Sequence, residues 1–480
     1  MTQISKKQIY LYISLYFGVR IFSYFFSPGT PLYYANPINW IISATILLTV
    51  VYFLLKKDER AWLIIASELI LGGAGSFLEI KGISLRTLLL VCSTAIFTYQ
   101  TIKDKKYSIF WENKTILFIF LALYAVVGIS ALRGYYLGND PRLIFADTIP
   151  YLFFLYYFPL KQLLASEKFR KAAFNMLIVA IVSNFIFTYF TLAGFSSGVF
   201  VLQDSYYHWF RDVAGGKITD YGAGFFRILL NEQLLLVPLF LWTFAKQLNN
   251  ENTKNIVFKI SGAALLAILT INITRIYLIA LAVGVLFLFS FKNWKRWLAY
   301  SAGALTFFIL AFTLTHLAAT KGKSLGWEYL GLRLQSIAMP QTEDSSLSRL
   351  LLLPKIVEKI KLHPLLGNGL GDTVTVYSPV FKANITTPHF DWGYLEIIAE
   401  MGLLGLLVWG LLIGNLILKI KQNRGLLASV VALLVTNITS PALFHVLGII
   451  LITYFFSISK AALLPTSPSL PQAIDHLKYY

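Results

Sequence analysis

The chain has 480 residues, of which 57% are apolar and only 13% charged, and Lys plus Arg exceed Asp plus Glu by 18. A soluble protein of this length would show roughly two to four domains and a far more charged surface, and a disordered chain would be far less apolar. The single cysteine, Cys92, lies in an apolar run, which excludes a disulfide framework and a cysteine metal cluster.

A polytopic membrane protein remains. A bilayer core about 30 Å thick takes roughly 20 apolar residues per helix. In chain order the candidate runs are 8–26, 38–55, 61–79, 84–102, 115–132, 146–163, 172–193, 225–245, 256–272, 275–291, 297–316, 392–417, 425–440 and 441–459. The first run is too long and aromatic for a cleavable leader, and no small-residue cleavage site follows it. The third contains Glu68 and Gly72-Gly73-Ala74-Gly75, so it is expected to be broken or re-entrant. The ninth and tenth meet at Asn272-Ile273-Thr274-Arg275, and the last two meet at Ser440-Pro441, where proline favours a break. The fold expected is all-α, a polytopic transmembrane helical bundle of about 12–14 spans. Helices over 1–316 and 392–460 flank one long, partly helical extracytoplasmic loop at 317–391, and a Pro- and Ser-rich tail over 461–480 reads as disordered.

Lys and Arg set the orientation. One alternating set of loops carries short basic clusters at Lys6-Lys7, 56–60, 103–106, 161–171, 246–259, 292–296 and 419–424. The first opposite loop, 27–37, has no basic residue and no carboxylate. Both termini are therefore expected in the cytoplasm, with loops 194–224 and 317–391 on the far side. The cytoplasmic clusters are mostly lysine. The far side instead carries Arg86, Arg133, Arg142, Arg211, Arg227, Arg275, Arg333 and Arg349. The orientation rule does not ask for these arginines. Snorkelling, or pairing with Asp140, Asp147 or Glu232, would account for some of them. A planar guanidinium at a membrane edge also suits bidentate contact with phosphate.

The long loop holds the remaining motifs. A helix is expected at 346–361, with its apolar face suited to lie on the membrane surface. His363-Pro364-Leu365-Leu366-Gly367-Asn368-Gly369-Leu370-Gly371 follows, then Thr387-Pro388-His389-Phe390-Asp391-Trp392-Gly393-Tyr394-Leu395-Glu396, then Met401-Gly402-Leu403-Leu404-Gly405. The glycines do not follow a strand and open no helix, so they read as a tight turn and not as a nucleotide loop. This combination resembles the O-antigen ligase and polymerase family of bacterial inner membranes. Gly224-Phe225-Phe226-Arg227, Ile273-Thr274-Arg275 and Ser346-Leu347-Ser348-Arg349 resemble further elements of that family. The likeness is good over about 224–415. In the family pattern the histidine stands four residues before the Leu of Tyr-Leu; here Asp391 has that place and His389 lies two residues earlier.

The resemblance implies a metal-independent membrane glycosyltransferase without cofactor. Its donor is a glycan on a polyprenyl diphosphate, its acceptor another glycan or lipid-linked glycan, and its medium the lipid bilayer; nucleic acid has no part. It places the protein in the bacterial inner membrane with its active site on the extracytoplasmic face. Arg227, Arg275 and Arg349 are candidates to hold the diphosphate. His389, with Asp391 as the alternative, is the candidate base. His363, Glu232, Glu396, Glu400 and Arg333 are supporting candidates. A transporter or flippase of lipid-linked or anionic substrates is the competing reading, but the paired broken helices expected of one are not visible. Ligase and polymerase stay unseparated.

Overall fold

A computed structural model describes residues 6–27, 36–73, 75–249, 256–339, 344–378, 382–388 and 390–458. The expected disordered tail and most of the loop at 27–37 lie outside the described residues.

In chain order the helices are α1 (Lys6–Phe26), α2 (Asn36–Leu55), α3 (Arg60–Leu71), α4 (Leu85–Lys103), α5 (Ser108–Trp111), α6 (Lys114–Tyr136), α7 (Pro141–Leu152), α8 (Tyr157–Leu163), α9 (Glu167–Ser197), α10 (Ser205–Asp212), α11 (Leu236–Leu248), α12 (Ile256–Asn272), α13 (Arg275–Phe287), α14 (Trp294–Ala319), α15 (Trp327–Ala338), α16 (Asp344–Leu362), α17 (Gly393–Ile420), α18 (Arg424–Thr436) and α19 (Val446–Ser457). Three antiparallel hairpins interrupt them: β1 (Glu79–Ile80) with β2 (Ile83–Ser84), β3 (Lys217–Asp220) with β4 (Phe226–Leu229), and β5 (Val374–Ser378) with β6 (Ala383–Thr387). Among the described residues, 8 helical stretches are long and apolar enough to cross a membrane, with α7 and α8 forming one stretch over Pro141–Leu163. The shorter apolar helices α12, α13, α18 and α19 join them. The chain is a polytopic all-α membrane protein.

Local chemistry sets the helix ends. Asn113 accepts the Ile116 N–H at the start of α6, Ser166 accepts the Phe169 N–H at the start of α9, and Gly198 ends α9 in the left-handed conformation. α3 stops at Leu71, where Arg20 on α1 donates to the Leu71 carbonyl at 3.0 Å. The third apolar run is thus broken as expected, its remainder leading into the β1–β2 hairpin.

The eighth run is not one span. Residues 226–229 form β4, which pairs with β3 (Asp220 opposite Phe226, Lys217 opposite Leu229), and the helix begins only at Leu236 after a short 3-10 stretch over 231–235. Gly222, Ala223 and Gly224 all have positive φ and turn the chain back on itself, so the apolar residues after them pack as a strand. Phe225 is fully buried against the His316 ring of α14, 3.6 Å between centroids, which fixes the hairpin to the bundle. Burying a side chain of that size contributes about 1.5–3 kcal/mol.

α16 covers the expected 346–361 helix. Part of its apolar face docks on protein: Leu352 and Ile356 are buried with Val374, Phe390 and Ala399.

The glycine turn after α16 wedges between α6 and α17. Gly402 breaks α17 at φ 69° and ψ −171°. The Ala399 and Glu400 carbonyls then accept the N–H groups of Asn368 (2.7 Å) and Gly369 (3.0 Å), while Leu403 N–H donates to the Pro364 carbonyl at 2.9 Å. On the α6 side, Leu370 N–H donates to Ser130 O at 3.0 Å, Arg133 Nε to Gly367 O at 2.6 Å, and Asn139 Nδ2 to Leu370 O at 2.9 Å. The turn shapes the backbone, as expected.

Candidate functional site

The β3–β4 hairpin, the break between α12 and α13, and helices α15 and α16 bring basic side chains together. The register puts Thr219 opposite Arg227. Lys217, two residues from Thr219, therefore shares a hairpin face with Arg227 as its diagonal neighbour, roughly 7–8 Å away. Arg227, Arg349 and Arg333 all bear on the Lys217 ammonium, and Asp391 bears on it with the opposite sign. Lys217 is exposed as a residue. Even so, the protein around its ammonium, followed by the Arg227 charge, pushes its pKa below the ordinary lysine value.

Each arginine is held from a different element. Arg227 Nε donates to the Asn272 carbonyl at 2.6 Å and Nη2 to Thr274 Oγ1 at 2.7 Å, so it satisfies the end of α12 where that helix unwinds. Ile273, between those two residues, is fully buried with φ 42°, a left-handed conformation that costs a β-branched residue about 1–3 kcal/mol. Arg275 Nη1 donates to Ser336 Oγ at 2.6 Å, and that hydroxyl donates to the Arg333 carbonyl at 2.9 Å, which ties the start of α13 to α15. Arg333 lies 4.8 Å over the Tyr221 ring of the hairpin loop. Arg349 Nε stands 3.7 Å from Asp391 Oδ2, and Trp392 Nε1 donates to the Arg349 carbonyl at 3.1 Å.

Asp391 has φ 58° and is 43% exposed. Glu396 accepts the Phe390 N–H at 3.3 Å and so fastens this segment to the first turn of α17. His389 lies outside the described residues. Glu400, buried one turn further along α17, is in hydrogen-bond contact with Asp147, which also accepts the Gly371 N–H at 2.9 Å. It therefore belongs to the glycine turn. His363 closes α16, its carbonyl accepting the Gly367 N–H at 2.9 Å. Glu232 pairs with Arg20 at 2.8 Å, with Asn184 and Tyr16 as its other partners.

The other arginines singled out from the sequence have ordinary explanations. Arg86 faces Glu68 at 3.4 Å and donates to Gly75 O; Arg133 holds Gly367 O; Arg211 pairs with its neighbour Asp212 at 2.7 Å; Arg142 is exposed. Among the described residues no three His, Cys, Asp or Glu side chains group so that they could hold a metal ion.

Sequence reasoning missed Lys217 and the residues that hold Arg227. The signal for Lys217 was Lys-Ile-Thr-Asp alternation, followed by a glycine-rich turn into Phe-Arg, which reads as a hairpin with Lys and Arg on one face.

Residues 260–410 match the family model described as O-antigen ligase. The match runs from α12 into α17 and includes Arg275, Arg333, Arg349 and Asp391, while Lys217 and Arg227 precede it. No curated protein and no solved structure matches the chain. Over residues 260–410 the chain is thus similar to the O-antigen ligase family, which supports an assignment to membrane glycosyltransferases of that type.

Proposed function

We propose that this protein moves a glycan from a polyprenyl-diphosphate carrier to an acceptor hydroxyl at the extracytoplasmic face of a bacterial inner membrane, with both termini in the cytoplasm. The observation that supports this reading is that Arg227, Arg333 and Arg349, brought from three elements, all act on the Lys217 ammonium, with Arg349 beside Asp391 and Arg275 tied to the Arg333 helix through Ser336. Several guanidinium groups held at one place suit the oxygens of a diphosphate.

In the reaction the bond between the sugar anomeric carbon and the phosphate oxygen breaks, and its electron pair stays on the diphosphate. The acceptor hydroxyl oxygen forms the new bond to that carbon and gives up its proton. Arg227, Arg275 and Arg349 offset the charge that develops on the leaving group. His389, or Asp391 in its place, takes the proton. Glu396 steadies the segment that carries both. The arginines supply the charge stabilisation that a divalent ion gives elsewhere, so the transfer is metal-independent.

The test is transfer by purified protein from a polyprenyl-diphosphate oligosaccharide to lipid A core glycan, or to a second lipid-linked unit, with and without chelator. Product on lipid A core marks a ligase and a lengthened lipid-linked chain marks a polymerase. No product with either, or activity abolished by chelator after metal stripping, counts against the reading.

A further inference from the structure

A chain of hydrogen bonds, buried at its centre, runs from Arg227 to the ion pair between Arg20 and Glu232. Arg227 Nη2 donates to Thr274 Oγ1 at 2.7 Å, and the Thr274 hydroxyl donates to Asn272 Oδ1. Asn272 Nδ2 donates to Gln233 Oε1 at 2.5 Å, and Gln233 Nε2 donates to Thr188 Oγ1 at 3.2 Å. The Thr188 hydroxyl donates to Asn184 Oδ1 at 3.4 Å, and Asn184 Nδ2 donates to Glu232 Oε1 at 3.1 Å. Arg20 Nη2 donates to that same oxygen at 2.8 Å. Asn184, Thr188, Gln233 and Asn272 are all buried.

The direction of this chain is forced at its ends. A carboxylate only accepts hydrogen bonds and a guanidinium only donates them. Glu232 therefore requires Asn184 to present its amide nitrogen, which turns the Asn184 carbonyl oxygen toward Thr188. Each later link follows, until Thr274 must spend its one proton on Asn272. Its lone pairs are then left to face Arg227. With the amides reversed, two carbonyl-type oxygens would meet at Glu232, and the Thr274 hydroxyl would no longer owe its proton to Asn272.

We propose that Gln233 and Asn272 are positioning residues for Arg227: they transmit this fixed polarity from the Arg20–Glu232 pair and hold the guanidinium in the orientation that receives the donor diphosphate. The proposal rests on the reading of Arg227 as a diphosphate ligand. Gln233 acts through two intermediates and touches no substrate. Its amide has one link toward each end of the chain, so an apolar replacement disconnects Asn272 from the enforced direction. A carboxylate at the same position would still accept from Asn272 and would keep the near half of the chain in order.

The experiment measures steady-state transfer by the full-length protein in detergent, with a polyprenyl-diphosphate oligosaccharide as donor, for Gln233→Leu, Gln233→Glu, Arg227→Ala and the double variant Gln233→Leu with Arg227→Ala. Gln233→Leu is expected to raise the donor KM about tenfold, the scale of one unsatisfied buried partner, and to leave the acceptor KM unchanged. Gln233→Glu is expected to keep the donor KM near that of the parent. In the Arg227→Ala background Gln233→Leu is expected to add no further loss, whereas general damage to the fold would add in full. If Gln233→Leu is not recovered folded, Gln233→Met, of similar length and without a hydrogen-bonding amide, takes its place. An unchanged donor KM in the apolar variant beside a defective Arg227→Ala overturns the positioning role alone, as does a fully additive double variant. A normal donor KM in Arg227→Ala overturns the diphosphate reading, and the positioning role with it.

Discussion

The glycine turn between α16 and α17 and the basic cluster around Lys217 are built by opposite means. In the turn, backbone meets backbone: a Cβ on Gly369 would stand 2.2 Å from Gly134 N, and one on Gly402 would stand 2.2 Å from Leu365 O. In the cluster, long side chains from β3, β4, α15 and α16 act on one another through their charges, with Asp391 acting on Lys217 in the opposite sense. The first region tolerates no added atom, and the second should tolerate no lost charge. Both carry motif residues, but the glycines set where the helices stand while the arginines supply what a substrate would meet.

The sharpest way to break this contrast is to add one methyl group to the turn. Gly369→Ala combines φ 83° with that backbone collision, so it should cost several kcal/mol, on the order of 3–5, and leave little folded protein by size exclusion in detergent. Full stability with lost transfer would instead make the turn part of the chemistry. Next come His389→Ala and Asp391→Ala, made in parallel. The residue that serves as base should lose about 10²–10⁴-fold in kcat with its thermal stability kept; full activity in both would leave the transfer without its proton acceptor.

Smaller losses should follow from the arginines. Arg227→Ala, Arg275→Ala and Arg349→Ala should each lower kcat/KM for the donor by about 100-fold or more, without rescue by lysine. Arg142→Ala should leave it unchanged, and Arg133→Ala should lower Tm more than turnover. An equal effect from all five would erase the division between structural and site arginines. Lys217 offers a gentler probe through pH. Its folded pKa lies below 10.5, and an anionic donor favours the charged form. Donor affinity is therefore full below that folded pKa and falls as pH rises through it, earlier than for an ordinary lysine. Lys217→Arg should flatten this alkaline rise in donor KM, and an unaltered profile would remove Lys217 from the site. The smallest effect is expected at Gly82→Ala, where φ is 83° but nothing lies within 4 Å of the added carbon: about 1–2 kcal/mol of conformational cost, read as a small drop in Tm.

Apolar runs made most of the bundle legible, because a span must bury its backbone polar groups within one continuous helix. The break at Asn272-Ile273-Thr274 was visible because polar residues interrupt two apolar runs. The run at 225–245 misled because Phe-Arg-Ile-Leu is apolar enough for a helix start. Its pairing with Lys-Ile-Thr-Asp depends on a turn whose left-handed residues include Ala223, which composition does not announce. The partner of Glu232 was hidden for another reason: Arg20 sits inside the first apolar run, and 212 residues separate the pair. The division among these arginines was equally out of reach, since Arg133 and Arg86 are occupied by the carbonyls of Gly367 and Gly75, and carbonyls have no residue signature. Arg227, Arg275 and Arg349 could be named from motif context, while Lys217 entered only through strand register.

The hold of α6 on the glycine turn also bears on the order of assembly. Arg133 and Asn139 bind backbone that is synthesised late: 234 residues separate Arg133 from Gly367, and 231 separate Asn139 from Leu370. At about 5–20 residues per second, α6 would wait on the order of ten to fifty seconds in the membrane before these donors find their acceptors. During that interval the Arg133 guanidinium, and the Asn139 amide just past the end of α6, are without these acceptors. The glycine turn therefore completes contacts prepared much earlier in synthesis, and premature termination before it would release a membrane protein in which Arg133 and Asn139 never meet these carbonyls.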